Sequence, residues 1–534
     1  MAHATVDAPS SPGPGRTGTG GNPWLVLLAV SLGVIMVMLD GTVVGIANPV
    51  IQKDLGASLS DLQWVTSGYL LALAVFLITA GKLGDLFGHK RVFLIGVVGF
   101  ALTSVGIGLS AELAEVVPGV TPVGALIGLR VLQGLFGALL QPAALALLRG
   151  AFPGERLHQA MGAWGAIIGL SSAAGPIIGG LLVEKVSWES VFFINAPVGI
   201  IALLMGLFLI KEHRVQTMAR IDWGGVVLLS GAMFALVWSI IKAPEWGWGD
   251  SRTVGFLAGF AVLIAAFIFW QSKAKQPLVP LSLFRNASIS IGTLLMMMVT
   301  FAMFGAMFFL GFFFQGVHGL SPLDAGMRML PMSAGMIVAS PLAGMLLGRL
   351  GPKITMTAGL LITSVSMFLM SQLTIDASFL ETSIPFVLLA FGLSPVFVGA
   401  TEIIVGNAPL ELSGVAGGLQ QSAMQVGGAL GTAILGAVMA GEISGKLPGY
   451  LGPAAQEIPP AQMTLLEKAA AFGGLPEGTP EQIRQLVGPA VNSAFMDGMH
   501  LAFLVSTAVA LLTAGLALFV RSGRKSEGAP AHMG

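Results

Sequence analysis

From Pro23 onward the chain is a succession of apolar runs separated by short polar breaks, and this feature leaves few folds open. Runs of about 20 residues, each long enough to carry a helix across a bilayer's hydrocarbon core, fall near 23–49, 62–83, 92–110, 122–148, 159–183, 190–210, 222–242, 252–271, 287–316, 323–348, 354–373, 383–406, 415–440 and 496–520. Inside hydrocarbon every backbone polar group must be satisfied within the protein, so each run is expected as a helix. The sequence therefore predicts an all-α integral membrane protein with 14 transmembrane helices. Only 10% of its residues are charged, where soluble domains carry about a quarter.

Composition also excludes several classes of function. With 26 basic and 26 acidic residues the net charge is zero, and nothing points to a nucleic acid partner. There are no cysteines, which removes disulfides, thiol catalysis and Cys-ligated metals. Neither an HExxH pair nor a GxxxxGK[ST] phosphate loop is present. No metal, no cofactor and no enzyme chemistry are expected.

Lys and Arg in the breaks set the expected orientation. Seventeen, among them Lys90, Arg91, Arg149 and Arg349, fall on the side of the chain ends; five, Lys53, Lys185, Lys242, Arg252 and Arg328, fall on the other, with 441–495 left out. Both termini are accordingly expected in the cytoplasm. Residues 1–22, rich in Gly and Pro, read as a disordered cytoplasmic tail; they lack the basic start and short apolar core of a signal peptide, so the first run is expected to stay as an anchor. Residues 521–534 read as a second cytoplasmic tail. The stretch 441–495 is predicted as a long outer loop, either a flexible surface segment or a lid, with Thr479 as a helix cap ahead of Pro480.

The chain also repeats itself. GKLGDLFGHK at 81–90 returns as GMLLGRLGPK at 344–353, an offset of 263 (344 − 81), pairing Gly81 with Gly344, Leu83 with Leu346, Gly88 with Gly351 and Lys90 with Lys353. One copy joins the second and third runs and the other the tenth and eleventh. That spacing fits two six-helix halves, 23–210 and 287–520, separated by two extra central helices within 211–286.

Polar residues inside the runs are the candidate functional groups. Asp40 is the one acid in the first run; an ionised Asp deep in hydrocarbon costs roughly 2.5–3.5 kcal/mol, so it is expected to face the bundle interior, as a functional group or as a structural salt bridge. Pro49 and Pro122 mark the outer ends of the first and fourth runs, which puts Asp40 and Arg130 at a shared depth of roughly 12–14 Å. A cation there would favour the ionised acid and unpaired burial the neutral one, so exchange between the two arrangements is a route to proton uptake and release. Glu402 is either a further acid on the proton pathway or an interfacial anchor. Gln133, one turn from Arg130, is a candidate substrate-cavity residue, as are Met303 and Phe304 of the Met- and Phe-rich ninth run. That run carries such residues on all faces, so many are expected to meet lipid. The fifth run is dense in small residues, Gly162, Gly165, Gly169, Gly175, Gly179 and Gly180, with Pro176 expected to bend it.

At this point the motifs resemble those of a known family. GKLGDLFGHKR at 81–91 is similar to the cytoplasmic signature of the major facilitator superfamily. LDGT at 39–42 with Asn48 and Pro49, LRVLQG at 129–134, and the stretch 165–180 ending in AGPIIGG resemble the first-, fourth- and fifth-helix signatures of its fourteen-helix drug:proton antiporters. WESVFFINAPVG at 188–199 and QPLVPLSLFRN at 276–286 resemble further landmarks of that branch. His89 stands where the family usually has Arg, and Glu189 and Ser190 interrupt its usual W-R-W.

The resemblance implies export of amphiphilic compounds, such as antibiotics or lipophilic cations, across a bacterial cytoplasmic membrane, driven by the proton gradient. It implies two halves rocking around a midplane cavity, with the small molecule, protons and the bilayer as partners of a monomer. It gives Asp40, aided by Arg130 and with Glu402 as a second acid, the proton coupling. Asp85 held by Lys90 and Arg91 would form a cytoplasmic lock, with Gly81, Gly84 and Gly88 permitting close approach. Gly165, Gly169, Gly175, Pro176, Gly179 and Gly180 would form a hinge or a seal between the halves. Proton-linked uptake and a non-transporting membrane sensor are the other readings; the fifth-helix Gly-Pro signature opposes the first, and intact signatures in both halves oppose the second.

Overall fold

The computed structural model describes residues 22–152, 156–212, 221–456, 458–475 and 479–520, and these are helices and their connections, with no strand among them. The predicted tails, 1–22 and 521–534, therefore lie outside the described residues, save for Asn22. The N-terminal part is built from α1 (Pro23–Leu55), α2 (Leu59–Phe87), α3 (His89–Gly108), the short α4 (Ser110–Val116), α5 (Pro122–Ala151), α6 (Arg156–Lys185), the single turn α7 (Ser190–Phe193) and α8 (Asn195–Leu209). Two central helices follow, α9 (Trp223–Trp246) and α10 (Ser251–Lys273). The remainder comprises α11 (Ala287–Phe312), α12 (Pro322–Met370), α13 (Phe379–Asn407), α14 (Ser413–Leu451), α15 (Pro460–Ala471) and α16 (Glu481–Ala517).

Local chemistry sets many of these starts. Asn22 Oδ1 accepts the Trp24 N–H at 3.0 Å, with Pro23 at the first helical position where no N–H is needed. Ser58 and Asp61 close a reciprocal capping box on α2, and Ser378 and Glu381 do the same on α13.

Twelve described stretches are helical, long and apolar enough to cross a membrane. One of them, Asp324–Met370, is 47 residues long and breaks at Gly351, whose φ of 78° and ψ of 167° leave the helical region. The 30-residue α6 lies outside those twelve. The internal repeat is written in the backbone: Gly88, which ends α2, has φ 98°, and its counterpart Gly351 breaks α12 with φ 78°. A β-carbon is disfavoured at both positions, which is why glycine recurs there.

The predicted outer loop at 441–495 is mostly helix. α14 continues to Leu451 and α16 begins at Glu481, with Pro480 rather than Thr479 at the capping position. Hydropathy locates the lipid-crossing part of a helix but not an extension into water. Polar contacts hold this one: Lys446 lies 3.0 Å from Glu442 and 3.2 Å from Asp497, and the Tyr450 O–H donates to Asp497 at 2.6 Å. The ninth run divides between buried and partly exposed positions, with Phe304 39% exposed. In α11, Met296, Phe301, Phe309 and, just beyond it, Phe313 and Phe314 are buried, and Met297, Met298, Met303 and Met307 are half-buried, because α13, α14 and α16 pack around it.

Between the central helices and the rest, α9 lies against α2 and α14, and α10 lies on α9. Asp222 ties the group together. Its carboxylate accepts the Gly225 N–H at 2.9 Å, the Trp270 indole N–H at 2.8 Å, the Gln271 amide at 2.8 Å and the Leu278 N–H at 3.3 Å. Burial pushes the Asp222 carboxyl up, but these donors outweigh it and hold the group below its ordinary value.

Candidate functional site: a buried ion pair beside an uncharged cavity

Asp40 and Arg130 meet in the interior. Arg130 Nη1 lies 2.5 Å from Asp40 Oδ2, with Asp40 only 2% exposed and Arg130 1%. An unpaired charge at that depth would be costly, and the surroundings satisfy both partners. Arg130 also donates through Nε to the Val65 carbonyl at 3.1 Å and through Nη1 to Gln133 Oε1, while its guanidinium lies 4.2 Å from the Tyr69 ring centroid. Gln133 in turn donates to Asp40 Oδ1 at 3.0 Å and to Ser104 Oγ, which also accepts the Asn195 amide at 3.1 Å. The network thus links α1, α2, α3, α5 and α8. Gln133 belongs to it and does not line the cavity, contrary to expectation: a side chain one turn from Arg130 turns inward with it. Ser104 and Asn195 were not singled out from the sequence.

Beside this network lies a cavity of about 360 Å³. It is lined from α1, α6, α11, α12, α13 and α14, and both Met303 and Phe304 contribute, as expected. Met38 and Thr42 line it from α1, whereas Asp40, roughly 200° around the helix from Met38, faces the ion pair. The lining contains eight methionines and three aromatic rings, Trp164, Phe304 and Phe397, and no Asp, Glu, Lys, Arg or His among the described residues. Its polar groups include Thr401, Gln420 and Gln421.

The face that carries Asp85 is closed by contacts of α2, α5 and α6 with the end of α13 and the start of α14. Asp85, at the end of α2, accepts the backbone N–H groups of Gly414 and Val415 at 2.8 and 3.0 Å; a carboxylate there satisfies orphan donors and complements the helix dipole at the start of α14. Gly81 stacks directly on the Gly414 backbone, where any side chain would collide. Arg149 donates to the carbonyls of Gly406, Ala408 and Pro409 at the end of α13. His158 of α6 pairs with Glu402 of α13 at 2.5 Å.

The expected lock of Asp85 by Lys90 and Arg91 is corrected. The partner is His89, whose Nε2 lies 3.2 Å from Asp85 Oδ1. Lys90 instead donates through Nζ to the Leu207 carbonyl at 2.8 Å, and the Lys90 and Arg91 backbone N–H groups donate to the Glu212 carboxylate at 3.3 and 3.2 Å. The turn at Gly88 starts α3 afresh, which directs the Lys90 side chain to α8 and away from Asp85. Gly84 makes room for the His89 ring and Gly88 for the Glu212 carboxylate.

The glycines of α6 divide by neighbour. Gly165 and Gly169 face Ser340 and Met336 of α12, while Gly175 and Gly179 face Thr42 and Val43 of α1; a β-carbon would collide at Gly169, Gly175 and Gly179 and be tight at Gly165. Gly180 meets nothing within 4 Å and takes no part in this packing. The backbone is helical through Pro176, whose side chain lies outside the described residues. Among the residues sequence reasoning missed, Arg149 and His158 carry no local signal, since their partners lie more than 240 positions away. The adjacent amides Gln420 and Gln421, in an otherwise apolar run, were a legible signal.

A bundle of membrane-length helices enclosing a buried ion pair beside an uncharged cavity is the architecture of a multi-pass membrane protein. Residues 30–432 match the family profile described as Major Facilitator Superfamily, and the chain belongs to that superfamily. It is 51% identical over 537 residues to the "Tetracenomycin C resistance and export protein" of Streptomyces glaucescens, covering 99% of this chain and 98% of the relative. It is 32% identical to "Multidrug resistance protein Stp" of Mycobacterium tuberculosis, covering 91% of this chain and 89% of that one. Among solved structures, the proton:xylose symporter XylE superposes with a TM-score of 0.59 at 14% identity, covering 93% of this chain and 96% of that one, which speaks to the fold alone.

Proposed function

We propose that this transporter exports amphiphilic organic compounds across the cytoplasmic membrane in exchange for protons, by alternating access. The observation that carries the reading is that α1 presents the buried Asp40–Arg130 pair on one face and lines the cavity with Met38 and Thr42 on the other. Any shift of α1 on protonation of Asp40 would therefore be felt by a molecule in the cavity. The export and resistance roles named for the relatives support the direction of transport.

The excess of Lys and Arg assigns the Asp85 face to the cytoplasm. Fourteen crossings follow if the two arms of α12 are counted separately and α6 is included, arranged as halves 23–210 and 287–520 about the insert 211–286. In this account the closed Asp85 face corresponds to a state open to the outside, and the contacts of Asp85, Arg149 and the His158–Glu402 pair are broken when the halves rock. Glu402 is the second candidate acid on the proton path. The glycines Gly165, Gly169, Gly175 and Gly179 let α6 slide between α1 and α12. The protein works as a monomer in the bilayer, with protons and the small molecule as its partners and no cofactor beyond the gradient.

The test is a substrate screen in inside-out vesicles with an imposed pH gradient. Proton release from the vesicle lumen on substrate addition supports the reading; substrate accumulation that is indifferent to the gradient contradicts it.

A further inference from the structure

The cavity carries a statement about which molecules it takes. Gln420 and Gln421 are 4% and 3% exposed and both line it, and in both the side-chain oxygen Oε1 is buried without a hydrogen-bond partner. The orientation of Gln420 is fixed from its other end: Nε2 donates to Thr401 Oγ1 at 3.2 Å and lies 3.9 Å from the Met296 sulfur. Two unpartnered acceptors thus stand on adjacent residues of α14, that of Gln420 oriented by its amide nitrogen, at a site where a buried carbonyl left unmatched is a cost.

The rest of the lining argues in the same direction. Eight methionines and three aromatic rings supply polarizable, adaptable surface suited to aromatic ring faces. No charged or titratable side chain lines the cavity among the described residues. The nearby Asp40 is turned away and already neutralised by Arg130. A cation entering here would give up its water with no counter-charge, and ring faces alone return less than that loss.

We propose that the cavity binds neutral aromatic compounds bearing at least two hydrogen-bond donors, in preference to lipophilic cations, and that Gln420 and Gln421 accept those donors. This rests on the export reading of the same cavity and narrows its substrate class.

The test uses the full chain in lipid nanodiscs at pH 6, with three probes measured by equilibrium dialysis: 2,3-dihydroxyanthraquinone, its dimethoxy analogue and ethidium. The dihydroxy compound should bind about tenfold more tightly than the dimethoxy one, equivalent to ~1.4 kcal/mol, and more tightly than ethidium. In the double variant Gln420→Leu with Gln421→Leu the two quinones should bind alike, with dimethoxy binding retained as the sign of an intact cavity. In Gln421→Glu, ethidium affinity should rise, because the missing counter-charge has been supplied. Ethidium binding as tight as the dihydroxy compound in the unaltered protein, or a preference that persists in the double leucine variant, overturns the proposal. Vesicle transport separates it from the export reading: selective quinone binding without proton-linked export leaves the ligand class standing and removes the export reading, whereas proton-linked export of ethidium but not of the quinone does the reverse.

Discussion

Asp85 of α2 accepts the backbone N–H of Gly414 at 2.8 Å, a contact between residues 329 positions apart that pins the end of one half to the first turn of a helix in the other. The second carboxylate oxygen takes the Val415 N–H and the first also faces His89, so one side chain joins the end of α2, the start of α3 and the start of α14. This arrangement closes the Asp85 face more directly than a cation lock on the same loop would.

Replacing Asp85 with Asn removes the charge that complements the start of α14 while keeping the shape. The expected outcome is slower transport, with equilibrium substrate binding in detergent changed by less than tenfold, or about 1.4 kcal/mol. Initial rates in vesicles beside binding isotherms check this; full transport in Asp85→Asn contradicts the gating role.

Gly175 approaches Thr42 so closely that a β-carbon would overlap its hydroxyl. Gly175→Leu should force α6 away from α1 and lower transport by more than about tenfold, with the protein still inserted in the membrane. Gly180→Leu, where the surroundings are open, should transport at close to the normal rate and serves as the control.

Asp222 gives a stability prediction with a sign. Its carboxyl is held below its ordinary value of 3.8, so its contribution is fully present above that pH and is lost as pH falls through the lower folded value. Asp222→Asn should therefore lower stability at pH 7 by about 1–3 kcal/mol, the range for losing charge-assisted hydrogen bonds. Melting curves in detergent should show the difference from the unaltered protein shrinking below pH 3.8.

Those parts of the site that depend on position along a helix were readable from the sequence. The 1.5 Å rise per residue turns distance from a run's end into depth, and so Asp40 and Arg130 could be placed level before any fold was known. Gly88 and Gly351 could be matched because a left-handed backbone demands glycine whatever surrounds it. Contacts between halves were not readable: the partners of Asp85, Arg149 and Glu402 depend on how α2, α5, α6, α13 and α14 meet, and nothing local encodes that. Gln133 misled because residues one turn apart share a face, and that face proved to belong to the ion pair. The outer parts of α14 and α16 were missed because the apolar face they bury, Ile443, Leu447, Leu451, Val487 and Val491, is interleaved with polar residues, Glu442, Lys446, Tyr450 and Asp497, that pair with one another.

The central claim is that Asp40 couples proton movement to export, and its neutralisation tests this most directly. Asp40→Asn can retain the hydrogen bond from Gln133 but loses the ion pair with Arg130. Purified Asp40→Asn reconstituted in inside-out vesicles with an imposed proton gradient should bind a neutral substrate yet fail to concentrate it. Accumulation against the substrate's own gradient, at the rate of the unaltered protein, would contradict the account and move the coupling role to Glu402.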